Sequence, residues 1–388
     1  MTLTTQGGPF VQTSAPEGVI NLGLGQPSPR LLPLAAMATA AHAQLDGGDP
    51  LILQYGAMLG YEGFRRSLAG FLQREYGHAV EADALMVTGG ISSALSLVSQ
   101  VFARPGATVI CEDPTYFLAH GVFASAGLQV RGVPVDAGGL RVDILQSLLA
   151  EGLRPAFVYC IPAYQNPSGA CLEPARAEAL LALAERYDFV VIADEPYVML
   201  HYGSGDSEDG AGPGSLIHHD HGRGRVLSLG SFSKILAPGL RLGWAHGSPA
   251  LIERLSWHGS LRSGGCLNPV IAHLVHHTID SGFLATHVGQ LREVLGARSR
   301  ALASALREQL PHIDFITPKG GYFCWLDLGE GVDAVALLEG PAEAARVRFI
   351  PGSRCAVDRD LGRFARLSFA FYEVDELREG VARLARAL

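Results

Sequence analysis

Short apolar runs alternate with helix-like stretches between about residues 80 and 245. The runs occupy residues 85–87, 108–111, 156–160, 189–193 and 226–229, and none of them contains a charged residue. Between two of these runs, the stretch 174–187 has apolar positions at helical spacing. Apolar strands that alternate with helices are typical of a mostly parallel sheet covered by helices on both faces. We therefore predict an α/β fold whose large domain is built around such a sheet.

The pattern changes from about residue 275 onward. Long helical stretches at 284–310 and 375–388 flank strand-like segments at 321–328 and 347–351. This grouping is typical of a second, smaller α+β domain. The first 19 residues are polar and rich in Gly, Pro and Thr, so we expect a loosely held arm. We predict three regions: 1–40, the N-terminal arm and part of the small domain; 41–274, the large domain that binds the cofactor; and 275–388, the C-terminal small domain.

Composition narrows the class of protein. A chain of 388 residues with 48% hydrophobic residues and 47 glycines suits a compact enzyme of two domains. The net charge of −8 and the pI near 5.9 argue against a nucleic-acid partner, since binding phosphates needs a basic face. No apolar run reaches the roughly 18 residues of a membrane helix, so we expect no membrane partner. The six cysteines form no C-x-x-C pair and suggest a reduced, cytoplasmic protein.

One polar stretch contains a group of histidines. Residues 203–224 are rich in Gly, Asp, Ser and His, and they include His218, His219 and His221. A metal site is conceivable there, but no further cluster of ligands accompanies the histidines. We interpret the stretch as a solvated loop and predict no metal site.

The basic residues point to the candidate chemistry. Lysine and arginine together number 30, but the lysines are only Lys234 and Lys319. Lys234 follows two hydroxyl residues, Ser231 and Ser233, and precedes Arg241. A lysine amine can lose its proton and form a Schiff base with a carbonyl, which arginine cannot do. Hydroxyl groups and an arginine suit a phosphate. The combination suggests pyridoxal 5′-phosphate (PLP) as cofactor.

Polar residues also follow the other apolar runs. Ligands of open parallel sheets bind beyond the carboxyl ends of the strands, so we expect these residues to converge at one edge. Glycines that lead into a helix offer backbone N–H groups to a phosphate, although a plain glycine turn has the same sequence. A buried carboxylate can keep a pyridine nitrogen protonated, although an Asp-Glu pair can also cap a helix or bind a metal. The residues are Gly90, Ile91 and Ser92; Tyr116; Asn166; and Asp194 and Tyr197.

These motifs together resemble a known family. Residues 231–244 end in Pro-Gly-x-Arg-x-Gly-Trp, residues 166–169 read Asn-Pro-x-Gly, and residues 194–197 read Asp-x-x-Tyr. The set resembles the class I/II, fold-type I PLP enzymes, the aspartate aminotransferase superfamily. The resemblance implies a mostly parallel seven-stranded sheet flanked by helices in the large domain. It also implies PLP as the cofactor.

The resemblance gives each of these residues a role. Where relatives carry a polar side chain, Ile91 can contribute only its backbone N–H. The implied roles are: Lys234, the Schiff base and the proton transfer; Asp194, the ring nitrogen; Tyr197 and Asn166, the phenolate oxygen; Tyr116, stacking on the ring; and Gly90, Ile91, Ser92, Ser231, Ser233 and Arg241, the phosphate.

Three outlying segments complete the implied site. Gly25, with Asn166, lies near the substrate carboxylate in the family, and Arg366 clamps that carboxylate bidentately. Tyr55 matches the tyrosine that reaches the phosphate of the neighbouring subunit, which implies a homodimer with shared active sites. Arg30 either pairs with a distal carboxylate of the substrate or lies at the surface, and the sequence does not choose between the two.

We therefore predict transamination of an α-amino acid to its 2-oxo acid by a ping-pong mechanism through Lys234. The resemblance favours aromatic, branched-chain or 2-aminoadipate-like donors. A PLP-dependent β-lyase would share every residue named above and stays as the alternative. A PLP-sensing regulator would need a DNA-binding domain, for which the motifs that begin near residue 21 leave no room. A nicotinamide-dependent dehydrogenase is disfavoured because residues 88–93 lack G-x-G-x-x-G.

Overall fold

The computed structural model describes residues 15–202 and 212–388. Its helices are α1 (Leu34–Leu45), α2 (Glu62–Tyr76), α3 (Ile91–Phe102), α4 (Phe117–Ser125), α5 (Val142–Ala150), α6 (Pro174–Tyr187), α7 (Pro249–Ser256), α8 (Gly259–Gly264), α9 (Pro269–Asp280), α10 (Phe283–Gln309), α11 (Ala334–Glu339), α12 (Pro341–Ala344) and α13 (Val374–Ala387). Its strands are β1 (Ile20–Asn21), β2 (Leu85–Thr88), β3 (Thr108–Asp113), β4 (Gln129–Asp136), β5 (Gly139–Leu140), β6 (Phe157–Cys160), β7 (Val190–Asp194), β8 (Val226–Ser231), β9 (Gly243–Gly247), β10 (Asp314–Phe315), β11 (Phe323–Asp327), β12 (Val347–Arg348), β13 (Ile350–Pro351) and β14 (Phe364–Ser368). Short 3₁₀ helices cover Pro29–Leu31, Pro50–Leu53, Ala82–Ala84, Leu216–Asp220, Pro238–Leu240 and Gly352–Arg354.

One large mixed sheet forms the centre of the chain, in the order β2-β9-β8-β7-β6-β3-β4-β5. Its middle is parallel: β8, β7, β6, β3 and β4 all run in the same direction. β9 is antiparallel to both of its neighbours, β2 and β8. The α/β prediction is confirmed, and the two-residue strand β5 adds an antiparallel edge to the seven strands that we expected.

Both faces of this sheet are buried because its strands alternate their side chains between two cores. Phe157 and Tyr159 of β6 pack on one face, in a core shared with α3, α4 and α7. Val158 and Cys160 of the same strand pack on the other face, against α5 and α6. A strand that is buried on both faces reads as a continuous apolar run, which is why the sequence revealed it.

A second sheet forms the smaller unit. It is antiparallel, with the order β10-β11-β14-β13, and α10 and α13 cover it through leucines such as Leu306 and Leu377. β1 pairs with β12, so the segment near residue 20 lies beside the C-terminal part of the chain. The first half of α10 instead packs in the core of the large sheet, through Leu284 and Val288. The domain limits at residues 41 and 275 stay predictions.

The histidine-rich stretch differs in part from our expectation. Residues 1–14 of the predicted arm and residues 203–211 of the predicted loop lie outside the described residues. Leu216–Asp220 form a 3₁₀ helix in which Leu216 and Asp220 are buried, so this part is not a solvated loop. The Asp220 carboxylate accepts hydrogen bonds from the backbone N–H groups of Gly224 (2.7 Å) and Arg225 (2.9 Å), and these bonds fix the turn.

The described residues contain neither a candidate metal site nor a membrane-spanning helix. In residues 15–202 and 212–388, no group of three or more His, Cys, Asp or Glu side chains is placed to hold a metal ion. Over the same ranges, every helix is too short or too polar to cross a bilayer.

Candidate active site

Asp194 ends strand β7 at the carboxyl edge of the large sheet. Its side chain is buried, and its Oδ2 accepts a 2.6 Å hydrogen bond from the hydroxyl of Tyr159 on the neighbouring strand β6. Its other oxygen, Oδ1, is equally buried and has no hydrogen-bond partner among the described residues. Burial raises the pKa of Asp194 to about 7, while the hydrogen bond from Tyr159 opposes the rise. A buried acceptor without a donor is costly, so this oxygen suits a ligand that brings an N–H group.

The carboxylate of Glu195, the next residue, already accepts several hydrogen bonds. Its carboxylate accepts bonds from the Ser215 hydroxyl (2.6 Å), the Ser228 hydroxyl and the backbone N–H of Leu216 (2.6 Å). Successive residues of a strand point to opposite faces, so Glu195 faces away from the side on which Asp194 lies. Its hydrogen bonds hold the turn at residues 215–216. The two carboxylates are neighbours in the sequence, but their side chains have different partners on different faces of the sheet.

Lys234 lies in the turn that follows strand β8. Its ammonium donates a 2.7 Å hydrogen bond to the Gly25 carbonyl oxygen and lies 5.2 Å from the centre of the Tyr322 ring. Burial and the positive charges of Arg366 and Arg241 together lower the pKa of Lys234 to about 8, while the charge of Asp194 opposes them. A lysine with this pKa has a substantial neutral fraction near neutral pH, which is the form that attacks carbonyls and accepts protons.

The start of α3 and the lysine turn form a cradle of donors. Gly90 precedes α3 with φ +84°, a conformation that favours glycine, and a methyl group there would lie 3.1 Å from Arg241 Nη2. The first turn of a helix has backbone N–H groups without intrahelical acceptors, here those of Ile91 and Ser92. Arg241 itself is exposed and donates only long bonds to carbonyl oxygens, at 3.3 Å. Free N–H groups beside a guanidinium suit a phosphate.

Ser231 and Ser233 are the two hydroxyl residues of the turn that carries Lys234. Ser231 is the last residue of β8 and is buried, and its Oγ accepts the backbone N–H of Ser233 at 3.0 Å. Ser233 is half-buried. The Ser231 hydroxyl keeps its own proton for donation, because the bond to Ser233 uses only its oxygen as acceptor.

Arg366 lies on strand β14 of the smaller sheet and is almost completely buried. Its guanidinium donates to the Asn166 side-chain oxygen (3.0 Å) and to the Gly23 carbonyl oxygen (2.9 Å). Both partners are neutral, and its Nε has no hydrogen-bond partner within the part of the chain that the structure describes. Burial accordingly lowers the pKa of Arg366. A buried guanidinium with neutral partners is a site for an anion such as a carboxylate.

Aromatic rings enclose this arginine. The Arg366 guanidinium carbon lies 4.1 Å from the centre of the Phe323 ring and 5.5 Å from that of Phe117. Phe323 also limits the space beside Gly25, since a methyl group on that glycine would lie 3.1 Å from the ring. The N-terminal loop therefore approaches Arg366 closely because residue 25 has no side chain. The result is a carboxylate site with apolar walls.

The two tyrosines that we predicted for the cofactor lie around the same site. Tyr197 is buried and packs edge-on against Phe323, with ring centres 5.9 Å apart. Tyr116 is half-buried at the start of α4. Burial and the nearby Asp194 raise the pKa of Tyr116 to about 12, against the opposing charges of Arg366 and Arg241, so its hydroxyl stays protonated.

Two other predicted residues stand apart from this group. Tyr55 is exposed over 82% of its surface and lies in a loop beside Gly264. Arg30 forms ion pairs with Glu376 (3.0 Å) and Glu373 (3.5 Å) at the start of α13, and its side chain is 61% exposed. Its charge is therefore paired at the surface.

Two residues near the site, Tyr159 and Tyr322, were not predicted from the sequence. Tyr322 donates a 3.1 Å hydrogen bond to the Lys234 carbonyl oxygen and fixes the lysine turn. A hydroxyl inside the apolar run 156–160 was the available signal for Tyr159. Its partner Asp194 could not be read from the sequence, because the contact depends on the register between two strands.

The donors and acceptors fit PLP. A buried, unpartnered Asp194 oxygen suits a protonated ring nitrogen, the cradle at Gly90 and Arg241 suits the phosphate, and Lys234 suits the aldehyde. Arg366, whose hydrogen-bond partners are neutral, suits a substrate carboxylate.

The sequence as a whole matches known aminotransferases. A family model described as aminotransferase class I and II matches residues 17–384. The aromatic-amino-acid aminotransferase 1 of Thermococcus litoralis is 34% identical over 384 residues, which cover 98% of this chain and 89% of that relative.

Solved structures agree with this match. The kynurenine aminotransferase of Pyrococcus horikoshii, solved with PMP, has a TM-score of 0.87 at 33% identity, over 97% of this chain and 91% of the other. The α-aminoadipate aminotransferase LysN of Thermus thermophilus, complexed with N-(5′-phosphopyridoxyl)-L-leucine, has a TM-score of 0.83 at 30% identity, over 96% and 92%. The chain therefore belongs to the class I and II aminotransferases, and it is a pyridoxal-phosphate-dependent enzyme.

Proposed function

We propose that the site around Lys234 moves the amino group of an aromatic, branched-chain or 2-aminoadipate-like amino acid to a 2-oxo acid in two half-reactions. One observation carries the proposal: a lysine amine whose pKa is lowered lies near two buried groups. They are the Asp194 carboxylate, which has one oxygen without a partner among the described residues, and the Arg366 guanidinium, whose partners are neutral. Such a set can bind an amino acid by its carboxylate and move a proton at its Cα.

Lys234 would act as the base that transfers the substrate proton. PLP, when bound, supplies a protonated ring that withdraws electrons from the substrate Cα. The neutral Lys234 amine would take the proton from the substrate Cα and deliver it to C4′, the carbon of the cofactor's aldehyde group, which is general acid–base catalysis by a positioned group. The lowered pKa supports this role because both proton acceptance and proton return are then accessible near neutral pH.

Asp194, rather than Glu195, would hold the ring nitrogen. The Asp194 Oδ1 is buried and free among the described residues, whereas three donors already occupy Glu195. The hydrogen bonds therefore support the role that the resemblance implies for Asp194. Tyr197 and Asn166 would contact the phenolate oxygen, and Tyr116 would stack on the ring.

The phosphate and the substrate would bind at opposite ends of this site. We assign the phosphate to Gly90, Ile91, Ser92, Ser231, Ser233 and Arg241, which form the cradle of donors described above. We assign the substrate carboxylate to Arg366, with Asn166 and Gly25 beside it. The bidentate geometry of arginine would orient Cα toward Lys234.

The donor class rests on the walls of the site and on the relatives. Phe117 and Phe323 line the site at Arg366 and offer apolar contacts to the rest of a substrate whose carboxylate binds there. The relatives act, by their names, on aromatic amino acids, kynurenine and α-aminoadipate. Arg30 lends no support to an acidic side chain, because Glu373 and Glu376 pair with it.

The active unit would be a homodimer in which Tyr55 completes the neighbour's phosphate site. Tyr55 is 82% exposed, and the apolar residues Leu34, Leu51 and Leu53 near it in sequence are 82%, 70% and 72% exposed. Exposed apolar groups of this size commonly mark an interface, and a second copy of the chain would cover them. The cytoplasmic location stays a prediction.

A panel of donors and acceptors tests the function. The purified enzyme is given one amino acid and one 2-oxo acid at a time, and both products are measured. We expect the new amino acid and the new 2-oxo acid in equal amounts, and only when both substrates are present. A β-lyase would instead make pyruvate and ammonia continuously from an amino acid alone. Sustained ammonia release without an acceptor would therefore overturn the proposal.

A further inference from the structure

We propose that Tyr159 is a positioning residue, which holds Asp194 so that one carboxylate oxygen stays free for the ring nitrogen of the cofactor. The proposal rests on the function assigned above to Asp194. Tyr159 is not among the residues that the family motifs point to, and it enters only through the geometry of the sheet.

The register between two strands brings the two residues together. In the β6–β7 pair, Tyr159 lies opposite Ile192, two residues before Asp194. Side chains two residues apart on a strand share a face, so Tyr159 and Asp194 point to the same side of the sheet. The Tyr159 hydroxyl can therefore reach the Asp194 carboxylate along the strand, and it donates a 2.6 Å hydrogen bond to Oδ2.

The position of this hydroxyl is fixed by packing. Tyr159 is fully buried, and its ring packs edge-on against Phe123, with ring centres 5.5 Å apart. Phe123 in turn packs against Phe157, at 5.7 Å. A tyrosine held in this way has one place for its oxygen, so its bond selects which Asp194 oxygen is used and leaves Oδ1 without a partner among the described residues.

The hydrogen bond from Tyr159 favours the charged form of Asp194. Burial, helped by the charge of Glu195, raises the pKa of Asp194 to about 7 against the opposing effects of the bond from Tyr159 and the charge of Lys234. Burial also raises the pKa of Tyr159 well above its usual value, so the hydroxyl keeps its proton and stays a donor. Without this donor, less of Asp194 would carry the charge that keeps a ring nitrogen protonated.

A simpler reading is that Tyr159 is only a core aromatic. The variant Tyr159→Phe separates the two readings, because it keeps the ring and removes only the hydroxyl. Tyr202→Phe is the matched control: its hydroxyl also makes a 2.6 Å bond, to the Gly321 carbonyl oxygen, and has no contact with Asp194. Melting temperatures of both variants report how far each loss affects the fold.

The measurement is a comparison of two cofactors in binding. Dissociation constants are determined for pyridoxal phosphate and for its analogue with carbon in place of the ring nitrogen. We expect the wild-type enzyme to prefer the nitrogen-containing form. We expect Tyr159→Phe to reduce this preference about tenfold or more, the usual size for a hydrogen bond to a charged group. Tyr202→Phe should leave the preference unchanged.

Each other outcome has a definite meaning. If Tyr159→Phe weakens both cofactors equally, or keeps the wild-type preference, the positioning role is overturned. If the wild-type enzyme shows no preference, the role of Asp194 in the proposed function fails instead. The double variant Tyr159→Phe with Asp194→Asn gives a second check: adding Tyr159→Phe to Asp194→Asn should change the preference no further, and an additional loss would place the effect of Tyr159 elsewhere.

Discussion

The Lys234 ammonium donates a 2.7 Å hydrogen bond to the carbonyl oxygen of Gly25. Lys234 follows strand β8 of the large sheet, whereas Gly25 belongs to the N-terminal segment whose strand β1 pairs with β12. The bond therefore links the large sheet to the N-terminal segment, whose strand β1 forms a separate two-stranded sheet with β12. It also holds the amine beside Arg366, whose charge helps to lower the lysine pKa.

The pKa of Lys234 gives a first prediction, on the capture of the cofactor. Because only the neutral amine attacks an aldehyde, the rate at which cofactor-free protein takes up pyridoxal phosphate should rise with pH, with a midpoint near 8. The growth of the visible absorption band measures this rate. Arg366→Met should move the midpoint upward, because it removes a positive charge near the amine. A midpoint near that of an ordinary lysine, about 10, would contradict the structure.

Covalent trapping gives a second prediction. Borohydride treatment of the loaded enzyme should fix the cofactor to Lys234 and leave Lys319, which is exposed, unmodified. Peptide mapping by mass spectrometry identifies the modified lysine. Lys234→Ala should still retain cofactor through the phosphate contacts but should lose turnover. An adduct on Lys319, or normal activity in Lys234→Ala, would rule out the mechanism.

Asp194 gives a third prediction, on stability without the cofactor. Its pKa is about 7 in the folded protein and about 4 in the unfolded chain, so the folded state holds its proton more strongly. The resulting stabilisation is complete below about pH 4 and is lost as pH rises through 7, by up to about 4 kcal/mol. Asp194→Asn removes this dependence. Denaturant unfolding at several pH values should show that the free energy of unfolding of the variant rises relative to that of the wild type between pH 4 and 8.

A constant difference between the two proteins over this range would contradict the prediction. Asparagine can still accept the hydrogen bond from Tyr159, while its amide adds a buried donor. That donor shifts the stability of the variant by the same amount at every pH, so only the change with pH tests the pKa of Asp194. Asp143→Asn is a control, since Asp143 is a surface carboxylate.

The parallel strands are the part of the fold that the sequence reveals best. Helix α6 begins and ends where its periodicity predicts, at Pro174 and Tyr187. The strands ending at Asp194 and Ser231 are visible because burial on both faces makes them uniformly apolar. The carboxyl ends of such strands share an edge, so much of the site could be predicted without coordinates.

Other features depend on contacts that no local pattern encodes. Strand β9 reads Gly-Trp-Ala-His-Gly and is fully buried, yet it has neither an apolar run nor an alternation. The pairing of Arg366 with Asn166 joins residues 200 positions apart. The difference between Asp194 and Glu195 arises from the side of the strand that each faces. Register and long-range packing decide all three.

Arg366 gives a fourth prediction, on substrate binding. Arg366→Ala should raise the KM for every amino and 2-oxo acid alike, because the α-carboxylate is common to all of them. Loss of one partner of a desolvated charged pair costs about 2–5 kcal/mol, so we expect an increase of at least about thirtyfold. Steady-state kinetics with aromatic, aliphatic and acidic substrates measure it.

Arg30→Ala is the matched control for this experiment. Its exposed ion pairs with Glu373 and Glu376 contribute little, so KM should stay close to the wild-type value. An effect of Arg366→Ala on one substrate class alone would mean that Arg366 reads a side chain. An effect of Arg30→Ala on acidic substrates alone would mean that Arg30 leaves its surface partners when substrate binds.

Tyr55 gives the last prediction, on the sharing of sites between subunits. Tyr55→Phe should weaken cofactor retention if its hydroxyl reaches the neighbour's phosphate. A mixed dimer then combines one Tyr55→Phe subunit with one Lys234→Ala subunit. Across the interface, the subunit that keeps Lys234 receives Tyr55 from its partner, so half of the sites should bind and turn over normally. If Tyr55 serves its own subunit, both sites carry one defect and none is intact. Titration of the tightly bound cofactor that borohydride fixes to Lys234 distinguishes one such site per dimer from zero, because a Lys234→Ala site cannot be trapped.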